Sequence, residues 1–465
     1  MTAILDASSP TIAIAHFVKG DVVEGSGAEF MSGGKRFSTP ALDIDTLVWP
    51  RSEPGPAFSI PINDVIDVLV ATGEQMKEDP SGVLAEAFEA RAAAGDMDRG
   101  VLKRAYESLP HLFTRQWLQF LIDGELGGAD ILDGWRCVTD PGGRQAQYRA
   151  FPPRLVHILA GNAPGVAAIS IIRGALTKGI NLLKLPSNDP FTATAILRTM
   201  AQVAPDHPVT KSFSAVYWKG GDETVEKYLL RPIFFDKLVA WGGEGSLRSA
   251  KKYVGPGFEL VAFDPKTSIS MIGREAFSSP DMLVRAAEAA ATDACLYDQS
   301  ACTSSRFQFV EASVADADAY CMLLQAEMGK ERLTASGCGV AVPSAIREEI
   351  DGLRGLEPFY KIWGECDGRG IVILSEDPVD FHPEAKTVNV VPVESLMDAI
   401  RFTGVATQTV GIFPAERKAG LRDHLAAAGA QRVVTLGAAL GGGVGIPHDG
   451  FFPLHRLVRW VTDEA

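Results

Sequence analysis

The stretch between residues 154 and 253 constrains the fold more than any other, because short apolar runs alternate there with segments of helical period. Apolar runs at 154–159, 181–184, 214–218 and 237–241 each precede a helical pattern, at 167–177, 192–203, 223–230 and 246–253. Strands separated by single helices do not pair through tight turns, so the pattern predicts a parallel, doubly wound sheet. A second set begins near Ser268, with strands expected at 268–272, 307–310, 371–374 and 387–392. Its helices are expected at 281–296, 316–328, 345–353 and 393–401. The expected class is α/β, with two doubly wound domains.

The flanks add smaller elements. Residues 10–60 read as short strands and turns, and residues 60–123 as a helical layer. A hairpin arm is expected at 134–152 around Asp140-Pro-Gly-Gly143, exposed enough to serve an oligomer contact. The chain closes with a glycine-rich run at 437–445, Pro447-His-Asp-Gly450 and an apolar, helix-like segment at 454–461. The expected divisions are 1–133, the arm 134–152, a cofactor-binding domain 153–266, a catalytic domain 267–436 and the tail 437–465.

At 465 residues, two or three lobes are the default. The formal charge of −14, with acids and bases mixed along the chain, argues against a nucleic-acid surface. Six cysteines without a CxxC pair fit thiols in a reducing compartment better than disulfides or a metal site. The first 20 residues carry no basic, apolar leader and no membrane span, so the expected location is the cytoplasm.

Four places carry chemistry. Trp241-Gly-Gly-Glu-Gly-Ser246 lies between a strand and a helix, where backbone N–H groups reach a pyrophosphate, although glycine pairs there are also common turns. Lys184 ends a short apolar strand; it is either a solvated surface residue or a cation for ribose hydroxyls or phosphate. Asn162, in Ala160-Gly-Asn-Ala-Pro164, suits either a helix cap or an oxyanion donor. Cys302 follows an alanine-rich helix and is surrounded by Gln299, Ser300, Thr303, Ser304 and Ser305, small polar neighbours that suit a reactive thiolate. Cys295, seven residues earlier, reads as a buried, inert thiol.

The order of these four along the chain resembles the aldehyde dehydrogenase superfamily. Gly161-Asn-Ala-Pro, Gln299-Ser-Ala-Cys-Thr-Ser-Ser, Pro447-His-Asp-Gly and Leu457-Val-Arg-Trp460 are similar to the LuxC-type acyl-CoA reductases, the reductase part of the fatty acid reductase of luminous bacteria. The resemblance runs from about residue 10 to the end. It implies an aldehyde dehydrogenase-like fold, Cys302 as nucleophile, Asn162 as oxyanion donor, and Lys184, Gly242 and Gly243 as nicotinamide cofactor contacts. It also implies an acyl-CoA substrate, a homo-oligomer, and an acyl-transferring synthetase as protein partner.

Departures from the superfamily sharpen this. Hydrolytic members carry a glutamate that activates water; Ala262 stands in its place in Ala262-Phe-Asp-Pro-Lys266, so an acyl-cysteine should persist for reduction. NAD-preferring members place a glutamate three residues after the lysine, where this chain has Ser187. A neutral side chain tolerates a 2′-phosphate, so NADPH is expected and NADH possible, with Asn188 or Asp189 in play if the alignment shifts by one. The carboxylate facing the nicotinamide ribose is left open between Glu376 and Glu384, and His448 without a role. The expected function is reduction of a fatty acyl-CoA to the aldehyde. The rivals are a CoA-acylating aldehyde dehydrogenase and a non-catalytic acyl-protein-binding subunit. No metal is expected.

Overall fold

A computed structural model describes residues 11–95, 97–337, 342–441 and 445–464. Cys338, the first ten residues and part of the glycine-rich run lie outside the described residues. The chain divides into two compact units that do not follow linear boundaries. One takes Met1–Gly95, Ala105–Asp264 and Gly443–Ala465; the other takes Asp96–Arg104 and Pro265–Gly442.

The first unit is built on a seven-stranded sheet. Glu259–Phe263, Lys237–Trp241, Arg154–Ile158, Ile180–Lys184 and Phe213–Val216 lie side by side in that order, all parallel. His16–Val18 and Asp21–Val23 extend the sheet antiparallel. Every residue of Ile180–Lys184 and Phe213–Val216 is buried, as expected of parallel strands covered on both faces. Helices Ile62–Glu78 and Val83–Ala94 pack against Thr192–Val203 and form the expected helical layer.

The hairpin is present, with Arg136–Thr139 paired to Gln145–Phe151. The closing segment departs from expectation. Only Pro453–Leu457 is helical, and Arg459–Glu464 is a strand that pairs antiparallel with Gln145–Phe151. Val458-Arg-Trp-Val461 carries β-branched and aromatic residues that suit a half-exposed strand, and the partner strand decides the outcome.

The second unit has its own seven-stranded sheet, ordered Tyr360–Trp363, Ile371–Ser375, Thr387–Val393, Ser305–Glu311, Thr267–Ile272, Thr407–Phe413 and Arg432–Thr435. All neighbours are parallel except the first pair. The helix expected at 393–401 is absent. Val393 ends a strand, and a 3₁₀ turn follows only at Asp398–Phe402, because Thr387-Val-Asn-Val-Val-Pro-Val393 is a β-branched run that stays extended.

Helix Pro280–Ala294 starts with proline in its first turn and with Ser279 Oγ accepting from Met282 N at 3.3 Å. Its buried face is Ala286, Ala287, Ala290, Ala291 and Ala294, small enough for close packing on helix Val314–Met328.

Candidate active site

In the first unit, chain order gives the position of a ligand crevice. From Arg154–Ile158 the chain adds strands to one side, Ile180–Lys184 then Phe213–Val216. It then returns to the other side with Lys237–Trp241 and Glu259–Phe263. The reversal falls between Ile158 and Trp241, and open α/β sheets bind ligands outside the carboxyl ends of strands at such a point. The loops that flank it are Leu159–Ala163, with Asn162, and Gly242-Gly243.

Asn162 is not the helix cap. Ala163 occupies the N-cap position of helix Pro164–Leu176, and Asn162, half-buried, precedes it. Its loop is held closely: a Cβ at Gly161 would collide with the Asn188 amide, and Arg91 Nη2 donates to the Gly161 carbonyl at 3.2 Å.

Lys184 is buried rather than solvated, at 9% exposure. Desolvation lowers its pKa, and the Glu226 charge opposes that shift. Lys184 forms one wall of a cavity of about 300 Å³, with Ile158, Gly220, Glu226, Ser246 and Tyr253 among its other walls.

The cavity suits a dinucleotide. Gly220 and Gly245 line it, and a Cβ at either, or at Gly243, would meet only open space. Helix Glu244–Lys251 opens there, and its N-cap, Gly243, has no side chain to cap the first N–H groups. Ser187 is exposed. Asp189 is not available to a ribose: its carboxylate accepts from Thr192 N at 3.1 Å and Thr192 Oγ1 at 2.7 Å, with Arg91 Nε 3.9 Å away.

Beside the Gly242 turn the rings of Trp241 and Phe263 stack at 3.6 Å, and the His448 ring lies 5.2 Å from Phe263. Ala262 therefore sits one residue before an aromatic stack at the carboxyl edge of the sheet. The tail that carries His448 is tied down by Glu125, whose carboxylate accepts from Leu454 N. Burial pushes Glu125 up to about 7, against the attraction of Arg173.

In the second unit, Cys302 is exposed, whereas Cys295 and Cys321 are buried. Burial pushes the Cys295 thiol up to about 11 and raises Cys321 further, which leaves both inert. Cys302 lies in the turn that joins helix Pro280–Ala294 to strand Ser305–Glu311.

That turn contains three successive non-glycine residues in left-handed conformation, Tyr297 (φ 50°), Asp298 (φ 51°) and Gln299 (φ 70°). Such a run costs free energy and persists only where its surroundings over-determine it. Here they do. Tyr297 N donates to Thr334 O at 2.7 Å. The Asp298 carboxylate accepts from Ser336 N at 2.9 Å and faces Lys386 Nζ at 3.2 Å. The Gln299 amide pairs with Thr387 on both sides, at 2.8 and 3.0 Å. Arg306 Nη2 donates to Gln299 O at 2.9 Å, and Ser268 Oγ to Cys302 O at 2.8 Å.

Arg306 reaches this turn through its bond to Gln299 O, and Cys302 bears on the charge of both Arg306 and Arg432. Burial lowers the pKa of Arg306, opposed by Glu384 and by Cys302; burial likewise lowers Arg432, opposed by Asp293 and by Cys302. Glu384 likewise bears on the charge of Arg306. Among the described residues no cluster of His, Cys, Asp and Glu could hold a metal ion, and no helix is long and apolar enough to cross a membrane.

Residues 57–460 match the acyl-CoA reductase (LuxC) family. The chain belongs to the LuxC family. A relative in Photorhabdus luminescens, a long-chain acyl-protein thioester reductase, is 33% identical over 362 residues, covering 76% of this chain and 72% of its own. Lactaldehyde dehydrogenase from Escherichia coli shares the fold with a TM-score of 0.73 at 14% identity, covering 98% of this chain and 100% of its own. So does Δ-pyrroline-5-carboxylate dehydrogenase from Mycobacterium tuberculosis bound with NAD, with a TM-score of 0.71 at 16% identity, covering 98% of this chain and 90% of its own. The fold of this LuxC-family chain is that of the aldehyde dehydrogenases.

The sequence reading missed Arg306, Lys386, Glu226 and Arg432. Only Arg306 left a signal, as the cation four residues after Cys302.

Proposed function

We propose that the chain reduces a fatty acyl thioester, with acyl-CoA as donor, to the aldehyde through an acyl-Cys302 intermediate, using NADPH and tolerating NADH. The observation that carries this reading is the turn around Cys302: an exposed sulphur on a rigid, strained backbone with Arg306 and Arg432 close enough to interact with it electrostatically. Cations at that reach favour the anionic sulphur that attacks a thioester carbonyl.

In this reading the Cys302 sulphur adds to the carbonyl carbon and the Cys302 backbone N–H donates to the oxyanion, a role that the LuxC resemblance extends to the Asn162 amide. Each such donor is worth about 3 kcal/mol. The carbon–sulphur bond to CoA breaks, and CoA leaves with the electron pair. The nicotinamide, when bound, supplies the hydride that reduces the acyl group. Lys184 and the Gly242-Gly243 turn hold the dinucleotide. Collapse of the resulting hemithioacetal releases the aldehyde and restores the Cys302 sulphur. Ala262 offers no carboxylate to activate water, which protects the acyl-enzyme from hydrolysis.

The name of the Photorhabdus relative favours a second donor, an acyl group carried on a protein thioester, delivered by an acyl-transferring synthetase. Both donors converge on the same acyl-Cys302. We further propose cytoplasmic homo-oligomers, with contact through the sheet that contains the hairpin, whose Val138 and Trp460 side chains are exposed.

The deciding experiment incubates the protein with radiolabelled palmitoyl-CoA, isolates labelled protein, then adds NADPH and identifies the aldehyde by mass spectrometry. Label should appear on wild type, be absent from Cys302→Ala, and leave as aldehyde on addition of NADPH. Label retained by Cys302→Ala would overturn the assignment.

A further inference from the structure

The cavity beside Lys184 contains a second buried charge that nothing in the sequence reading assigned. Glu226, on helix Glu223–Leu229, is 5% exposed and lines the same cavity. Its Oε1 accepts from Trp218 Nε1 at 3.3 Å and from Gly221 N at 3.0 Å; its Oε2 accepts from the Tyr253 hydroxyl at 3.1 Å. Three donors from two separate segments therefore fix the orientation of the carboxylate. Burial and the neighbouring Glu226 together push the Tyr253 phenol up to about 12, so the hydroxyl remains a donor.

Among the described residues Glu226 forms no ion pair within 4.0 Å, although Lys184 shares its cavity and experiences its charge. Burying a carboxylate and an ammonium without closing them into a pair is costly unless something bridges them. A carboxylate accepts at roughly four sites, and three are used, which leaves one on Oε2. The remaining acceptor and the Lys184 ammonium match a vicinal diol: one hydroxyl donates to the carboxylate while a hydroxyl oxygen accepts from the lysine.

We propose that Glu226 is a specificity-determining residue, the carboxylate that takes the ribose diol of the dinucleotide and discriminates against its 2′-phosphorylated form. The proposal rests on the cofactor reading above and deepens it. A 2′-phosphate replaces the hydroxyl donor with a group of about two negative charges that can only accept, so it loses the bond and meets a like charge. Ser187 and Glu226 thus pull in opposite directions: the exposed serine admits the phosphate and the buried glutamate penalises it. The carboxylate missing after Lys184 is supplied from another helix.

The test is equilibrium binding, read by quenching of tryptophan fluorescence, with no turnover required. Glu226→Gln keeps an oxygen for the Trp218 and Gly221 donors and removes the charge. It should lower the Kd for NADPH at least tenfold relative to that for NADH. A ratio that moves less than twofold in the folded variant overturns the proposal. The wild type supplies an arm independent of the variant: 2′-deoxy-NADH should bind at least tenfold more weakly than NADH, and equal affinity overturns the proposal. If Ser187→Glu rather than Glu226→Gln moves the ratio, discrimination belongs to the loop and Glu226 is only structural. Binding with an unmoved ratio defeats the role of Glu226 alone, whereas no binding of any dinucleotide to wild type defeats the cofactor reading as well.

Discussion

Lys386 Nζ lies 3.2 Å from Asp298 Oδ1, and both side chains are almost wholly buried, at 1% and 3% exposure. Lys386 also donates to Ser336 O at 2.6 Å, so one ammonium secures the segment that faces the left-handed turn before Cys302. The pair couples stability to the position of the nucleophile.

Lys386→Met leaves the Asp298 carboxylate buried without its cation, and breaking such a pair costs about 3–5 kcal/mol. The urea midpoint should fall accordingly, and acylation of Cys302 should slow at least tenfold while dinucleotide affinity is unchanged. The double variant Lys386→Met/Asp298→Asn removes both charges and should be more stable than Lys386→Met alone. Additive losses in this cycle would show that the two side chains do not act as a unit.

Glu125 predicts a pH dependence. Burial raises its pKa from 4.5 to about 7 in the folded protein, so between those values the folded state binds more protons than the unfolded chain. Stability from this group is therefore fully present below about pH 4.5 and is lost as pH rises through 7. The loss is at most about 3 kcal/mol. Urea titrations at pH 5, 6 and 8 should show wild type losing stability across this range relative to Glu125→Gln. Parallel curves for the two proteins would contradict the prediction.

How much of this was legible beforehand follows from the range of the interactions. The strand–helix alternation places Asn162 and Gly242 in loops that follow strands and Lys184 at the carboxyl end of one, because hydrophobic period and glycine turns are local signals. Strand Thr407–Phe413 went unread although every residue but the last is buried, since Thr-Gln-Thr-Val-Gly lacks a continuous apolar run and its pairing partners are far along the chain. The supports of Cys302 were equally hidden. Gln299 meets Thr387 across 88 residues, and nothing in the spacing announces that partnership. Asp189 shows the converse: its sequence position allowed a cofactor role that its bonds to Thr192 remove.

Ala262 allows the fate of the acyl group to be redirected. It lies in strand Glu259–Phe263, one residue before the Phe263 ring that stacks on Trp241 at the carboxyl edge of the first sheet. It is partly exposed and packs at the margin of the apolar cluster that holds Leu238, Ala240 and Leu247. On the function proposed above, Ala262→Glu introduces a water-activating carboxylate, and a positioned general base contributes roughly 10²–10⁴-fold. Single-turnover experiments with acylated enzyme and no dinucleotide should then release fatty acid at least a hundredfold faster than wild type. Aldehyde yield in the presence of NADPH should fall as water competes for the same thioester. Acylation of Cys302, measured in the same experiment, is the control for an intact nucleophile. Fatty acid released no faster than from wild type, with acylation intact, would show that Ala262 is not what protects the thioester from water.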